Sequence, residues 1–155
     1  MNNPIITQLS SLLIQIDKGK PAMFAGTGII VYSDLNKLPV APLKDSNPPF
    51  RLPVADIREI EIHLLEISGF NHSFHDGFHL IDPSFSLTHL SQYFAAPIVQ
   101  SSIVEYEYGS RYRSAFYGSF LSSVIACGVI SNTHHPTIFQ QGNKINPYEW
   151  LSPNS

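Results

Sequence analysis

Seven residues in a row, Val124-Ile125-Ala126-Cys127-Gly128-Val129-Ile130, carry no charged or amide side chain. The run is far short of the ~20 apolar residues that span a bilayer, so it must be buried inside a protein core. Its length and its β-branched residues read as a buried strand. Ile29-Ile30-Val31-Tyr32, behind Gly26-Thr27-Gly28, reads the same way. Helical signals lie on either side. Asn3-Pro4 is an N-cap followed by proline at the first helical position, and Ile5, Ile6, Leu9, Leu12, Leu13 and Ile16 then keep helical spacing towards Gly19. Residues 56–68 give a second helical face through Ile57, Ile60, Leu64 and Ile67, with Gly69 as its stop. Residues 112–122 read as a third helix, and residues 78–81, 87–99 and 137–139 as further strands. Five prolines within residues 38–53 make that stretch a loop or extended connection. The tail at 146–155 reads as loosely held. Helices alternating with strands predict an α/β (α+β) fold, a mixed central β-sheet flanked by helices. The expected organisation is one domain over residues 1–145 with a C-terminal tail at 146–155.

Composition narrows the function. Of 155 residues only 14% are charged, against a usual ~25%, and the formal net charge is −3. That balance argues against a broad phosphate-backbone footprint and so against general nucleic-acid binding, while leaving room for a local basic pocket. No apolar stretch is long enough for a membrane span, and the first helix is interrupted by Thr7, Gln8, Ser10, Ser11 and Gln15, unlike a signal peptide. A soluble, cytoplasmic protein is expected. The single cysteine, Cys127, sits in the apolar strand, where a structural thiol is the natural reading.

Two short clusters are candidates for chemistry. His75-Asp76-Gly77-Phe78 puts an imidazole and a carboxylate on a tight turn before a strand. A carboxylate binds hard divalent ions together with phosphate oxygens, an imidazole adds a ligand suited to Mn²⁺, and an aspartate can accept a proton from an attacking hydroxyl. The bland alternative is an Asp-Gly turn with a structural histidine. Gly109-Ser110-Arg111-Tyr112-Arg113-Ser114-Ala115 sets two arginines at a helix start. Free backbone N–H groups and guanidinium forks suit a polyphosphate there. Equally, both arginines can pair with Glu105 and Glu107. Gly26-Thr27-Gly28 lacks the Lys-Ser/Thr of a P-loop and precedes its strand, so it makes a poor phosphate loop.

The two clusters, in this order and about 30 residues apart, resemble those of the diadenylate cyclase domain family, which joins two ATP molecules into cyclic di-AMP. The resemblance runs over roughly residues 5–145 and includes Val129-Ile130-Ser131-Asn132 at the end of the long strand. It implies Asp76, Gly77, Arg111 and Arg113 as catalytic positions. It implies nucleotide contacts from Gly77, Phe78, Gly109, Ser110, Arg111, Tyr112, Arg113, Ser131 and Asn132. It implies His75 and Asp76 as ligands of a divalent metal, Mg²⁺ or Mn²⁺. The implied partners are ATP or a related adenine nucleotide and a second copy of the chain, in a homodimer or larger symmetric assembly. Three positions depart from the family pattern: Phe78 stands for a small alanine, Tyr112 for histidine, and Asn132 for an acidic residue that helps hold the metal. The last change weighs on catalysis more than on binding, so a domain that binds or senses a nucleotide without turnover is the alternative. A metal-dependent hydrolase built on His72, His75 and His79, with their helical spacing, is a third reading.

Overall fold

The computed structural model describes residues 3–100 and 108–152. Helix α1 spans Pro4–Gly19, and the Asn3 side chain caps it by accepting from the Ile6 N–H. Strand β1 (Thr27–Tyr32) follows, then a 3₁₀ turn at Leu35–Lys37 and the short strand β2 (Val40–Pro42). Helix α2 (Ile57–Glu66) is capped by Asp56, whose Oδ1 accepts from the N–H groups of Arg58 and Glu59. Strands β3 (Phe78–Ile81) and β4 (Leu87–Phe94), helix α3 (Gly109–Gly118), strands β5 (Val124–Ile130), β6 (Thr137–Gln140) and β7 (Asn143–Ile145), and helix α4 (Pro147–Leu151) complete the order.

The strands form one mixed sheet in the order β2-β4-β3-β1-β5-β6-β7. Only the central β1–β3 pair is parallel, with Ile29 beside His79 and Val31 beside Ile81; the other five pairings are antiparallel. Every residue of β1, and all of β5 but Ile125, is buried. This is the burial expected of strands with both faces covered. Ile29, Val31, Ala126 and Ile130 face a core made with Leu9, Leu13 and Leu64 from α1 and α2. Ile30, Cys127 and Val129 face a second core with Tyr112, Ala115 and Phe116 of α3. The sheet is therefore sandwiched, with α1 and α2 on one side and α3 on the other. Burial raises the Cys127 thiol far above its ordinary value, as an inert core thiol requires.

Several parts differ from the sequence expectation: β4 ends at Phe94 instead of 99, α3 runs over Gly109–Gly118 instead of 112–122, and β7 adds a strand after β6. The proline-rich stretch contributes β2, an edge strand paired to β4, a place where proline is tolerated. The end of the chain is not loosely held up to residue 152. Asn146-Pro147 starts α4 just as Asn3-Pro4 starts α1, with Asn146 Oδ1 accepting from the N–H of Tyr148 and of Glu149. Helix α4 then packs on α1: Trp150 Nε1 donates to Thr7 Oγ1 at 3.0 Å and Tyr148 Oη to Asp17 Oδ2 at 2.7 Å. Partial burial, helped by the Asp17 carboxylate, pushes the Tyr148 hydroxyl up to about 12. Tyr148→Phe removes one exposed hydrogen bond and is expected to lower unfolding stability by about 1 kcal/mol. Urea unfolding with an unchanged slope is the check; stability equal to the parent would show that this contact does not hold α4.

Candidate functional site

A cavity of about 550 Å³ opens on the α3 side of the sheet, where one end of the four central strands meets the start of α3. Because β1 and β3 run parallel, the residues leading into both, Ala25 and His75-Asp76-Gly77, reach the same end. The C-terminal ends of the antiparallel β4 and β5 arrive there too, with Gln92, Tyr93 and Phe94 from one and Val129, Ile130 and Ser131 from the other. Gly109, Ser110, Arg111 and Tyr112 close the cavity from α3, and His134 and Tyr108 add to that wall. Both sequence clusters therefore line one cavity. Arg113 and Asn132 do not line it. On α3, two residues on from Arg111 is the opposite side of a 3.6-residue turn.

The turn at Asp76-Gly77 depends on glycine. Gly77 has φ +75°, and a Cβ there would sit 2.5 Å from the Gln92 carbonyl oxygen on β4. Behind it the interior is polar and satisfied. His79 is fully buried, and its Nδ1 accepts the Ser91 N–H at 3.1 Å. The Ser91 hydroxyl donates to the Phe74 carbonyl at 2.8 Å, just before the turn. Ser91 has φ +50° in a stretch where the β3–β4 register shifts, so this pair of bonds fixes an irregular strand against the site.

Arg111 is the centre of the arrangement. Its Nε donates to the Gly77 carbonyl at 3.2 Å, Nη1 to that of Ala25 at 3.3 Å and Nη2 to that of His75 at 3.3 Å. Burial pulls the guanidinium below its ordinary value, and the Asp76 charge opposes that. The side chain lies across β1 where there is no room for a Cβ: one at Gly26 would meet Nη1 at 2.6 Å, and one at Gly28 would meet Phe78 at 2.8 Å and Arg111 Cδ at 2.9 Å. The glycines read as a poor phosphate loop are instead the floor under Arg111 and Phe78. The resemblance implied that Arg111 holds triphosphate; here three of its N–H groups are taken by carbonyls of the chain. Glu105 and Glu107, the alternative partners for the arginines, lie outside the described residues.

His75 Nδ1 lies 2.7 Å from the His72 carbonyl, which only accepts, so Nδ1 carries the proton. Nε2 then faces Asp76 Oδ1 at 3.2 Å. Two electron-pair donors at that separation are completed by a second proton on the ring or by a cation between them. The donor set therefore fits a divalent ion, with an imidazole favouring Mn²⁺ over Mg²⁺, provided phosphate oxygens and water supply the remaining ligands. Among the described residues no three His, Cys, Asp or Glu side chains gather around one point. His72 and His79 spend their Nδ1 atoms on the N–H groups of Phe74 and Ser91, so the three-histidine hydrolase centre is not formed. Asn132 turns away from the cavity, and its Nδ2 donates to the Phe24 carbonyl at 2.8 Å.

Helix α3 begins at Tyr108–Gly109 with no side-chain cap among the described residues and no acidic residue in its first turn. Its first N–H groups and positive dipole end border the cavity, with no capping side chain among the described residues. Tyr112, a departure from the family pattern, is buried and packs edge-on against Phe139 at 5.1 Å, while its ring also meets His134 at 5.1 Å. Phe78, the other bulky departure, is buried against Phe94 in an edge contact at 5.3 Å.

No protein-family model matches the chain, and no curated protein matches it in sequence. Solved structures do. A double mutant of DacA from Staphylococcus aureus aligns with a TM-score of 0.61 over 96% of this chain and 91% of that one, at 16% identity. The chain has the DacA fold. A hypothetical membrane spanning protein from Bacillus cereus aligns with a TM-score of 0.59 over 90% of this chain at 20% identity. The chain spans 59% of that protein's length. No helix among the described residues is long and apolar enough to cross a membrane.

Two stability effects follow from this geometry. Gly77→Ala forces φ +75° on an L-residue and drives a methyl group into the β4 backbone, so a loss of at least about 2 kcal/mol is expected in thermal or urea unfolding. His79 has its pKa lowered to about 3, by burial first and by the Arg111 charge second. The unfolded chain, with an ordinary histidine near 6.5, binds that proton more readily, so stability is complete above pH 6.5 and falls as pH drops towards 3. The slope approaches about 1.4 kcal/mol per pH unit. His79→Gln should flatten this acid limb in unfolding curves at pH 7 and pH 5; an unchanged difference between the two would remove His79 as its source.

Proposed function

We propose that this domain binds ATP in the cavity and, as a symmetric pair of copies, condenses two ATP molecules into cyclic di-AMP. The observation that carries the reading is the gathering of two unlike groups in the lining of one cavity: the His75–Asp76 pair and the start of α3, which no described side chain caps. They sit on the fold of DacA, in the order that resembles diadenylate cyclases. Such a combination suits a nucleotide triphosphate. ATP as substrate goes with a cytoplasmic location.

Each residue's task follows from its chemistry. The first N–H groups of α3 and the hydroxyls of Ser110 and Ser131 receive phosphate oxygens. Arg111 gives this end a fixed positive charge while holding the turn. Asp76, with its carboxylate 57% exposed, accepts the proton of an attacking ribose 3′-hydroxyl. The 3′-oxygen forms a bond to the α-phosphorus of the second ATP, the α–β phosphoanhydride bond breaks and pyrophosphate leaves. The same step in the other direction closes the ring. A divalent ion held by His75 and Asp76 would neutralise phosphate charge. One cavity per chain holds one ATP, so two chains must face each other. Most of the acceleration then comes from positioning and fixed electrostatics.

A nucleotide-binding domain without turnover is the second reading, favoured by Asn132. Its amide is neutral and committed to the Phe24 carbonyl. Incubation of the protein with ATP and Mn²⁺, followed by mass spectrometry, separates the two. The cyclase reading expects cyclic di-AMP, and expects Asp76→Asn to lower its formation at least about 100-fold. The variant should stay folded with a small drop in melting temperature, because the carboxylate is exposed but its charge partly offsets the burial of Arg111. Product formed equally by Asp76→Asn would remove Asp76 from the chemistry. Saturable ATP binding without product would establish the second reading.

A further inference from the structure

Of the large apolar side chains left exposed among the described residues, Leu43, Phe70 and Tyr93 share one place, the rim of the cavity. Phe70 is the most exposed of the three, at 61%. A phenyl ring so open adds little to the core, yet its backbone is firmly held. The Phe70 N–H donates to the Met23 carbonyl at 2.9 Å, and Gly69 bridges to Phe24, next to the Ala25 carbonyl that Arg111 grips. The ring stands 6.0 Å from the His75 ring, inclined to it by 59°. A rigidly rooted, solvent-facing aromatic thus lies beside the polar pair in the lining of a cavity that also takes in the anion-attracting start of α3.

A ligand that matches both features has an anionic end and a flat apolar end. Resting on the nucleotide reading of the cavity, we propose that Phe70 is a stacking platform for the base. It makes the site select nucleotides over base-free polyphosphates. Every nucleobase offers a π-face to such a ring, and a platform of this kind needs no hydrogen-bond readout.

The test is calorimetry with two ligands, each with Mn²⁺: α,β-methylene ATP, which cannot release pyrophosphate, and inorganic tripolyphosphate. The proteins are the parent, Phe70→Ala and Phe70→Trp. Phe70→Ala should weaken the nucleotide about tenfold and leave tripolyphosphate unchanged, and Phe70→Trp should restore nucleotide binding. All three should melt alike, because the side chain is exposed. Nucleotide binding that is undiminished in Phe70→Ala, or an equal loss for both ligands, overturns the platform while leaving the nucleotide site standing. The first result, accompanied by a change in oligomeric state, would assign the ring to contact with another chain. A parent protein that binds neither ligand overturns the nucleotide reading and the platform together.

Discussion

A single guanidinium joins three of the segments that line the cavity. From α3, Arg111 reaches the carbonyl before β1 and two carbonyls of the turn before β3. These are the two strands that run parallel at the centre of the sheet. That tie sets the direction of the helix against the turn, which apolar packing fixes less well than distance. The cost is the desolvation of a cation, seen in the lowered pKa of Arg111 and partly offset by Asp76. The arrangement is costly unless every partner is in place. That explains why glycines at 26 and 28 leave space for the side chain and why a third, at 77, lets the turn come close to β4.

The cavity's two faces have different mechanical support. The Asp76 side is braced from behind by buried groups, His79 on the Ser91 N–H and Ser91 on the Phe74 carbonyl, in addition to Arg111. The Ser131–His134 side is braced from α1 and the chain after it. Lys20 Nζ, which also pairs with Asp17 at 3.0 Å, lies 3.4 Å from the Ser131 carbonyl, and Asn132 donates to Phe24. Asp17 also accepts from Tyr148 of α4, so the end of the described chain is bonded to the same corner that supports the cavity. A fixed wall on both sides is what preorganised electrostatics needs.

Much of the fold was legible because its signals are local. The apolar runs at 29–32 and 124–130 became the central antiparallel pair, and Asn3 and Asp56 cap their helices with the bonds their side chains suggest. The same N-cap and proline signal stood at Asn146-Pro147 and marks α4, but three apolar residues of helix gave no periodicity to support it. Strand β2 was hidden by its prolines, since an edge strand needs neither a donor at every residue nor a buried face. The site was legible as two motifs and their order. What each residue does there was not. Arg111 turns to carbonyls that no local pattern identifies, His79 is set by a bulge twelve residues away, and the rim of Leu43, Phe70 and Tyr93 comes from three separate elements.

Asn132 shows why a substitution within a motif cannot be judged by charge alone. In place of an acidic residue it brings a neutral amide, and the amide has acquired a partner: its Nδ2 is a donor and the Phe24 carbonyl an acceptor. A carboxylate at this position could not make that bond. It would meet the carbonyl as one acceptor meets another, and the repulsion would turn it elsewhere. An acidic residue at 132 is therefore driven away from the Phe24 strap, whereas asparagine is held by it. Asparagine at 132 is thus a fixed neutral group on the segment that carries Ser131, and among the described residues His75 and Asp76 are the neighbouring pair of ligating side chains in the cavity. On the proposed function, triphosphate binding gains from a fixed Asn132, while any turnover runs with fewer negative charges around the ion than an acidic residue would supply.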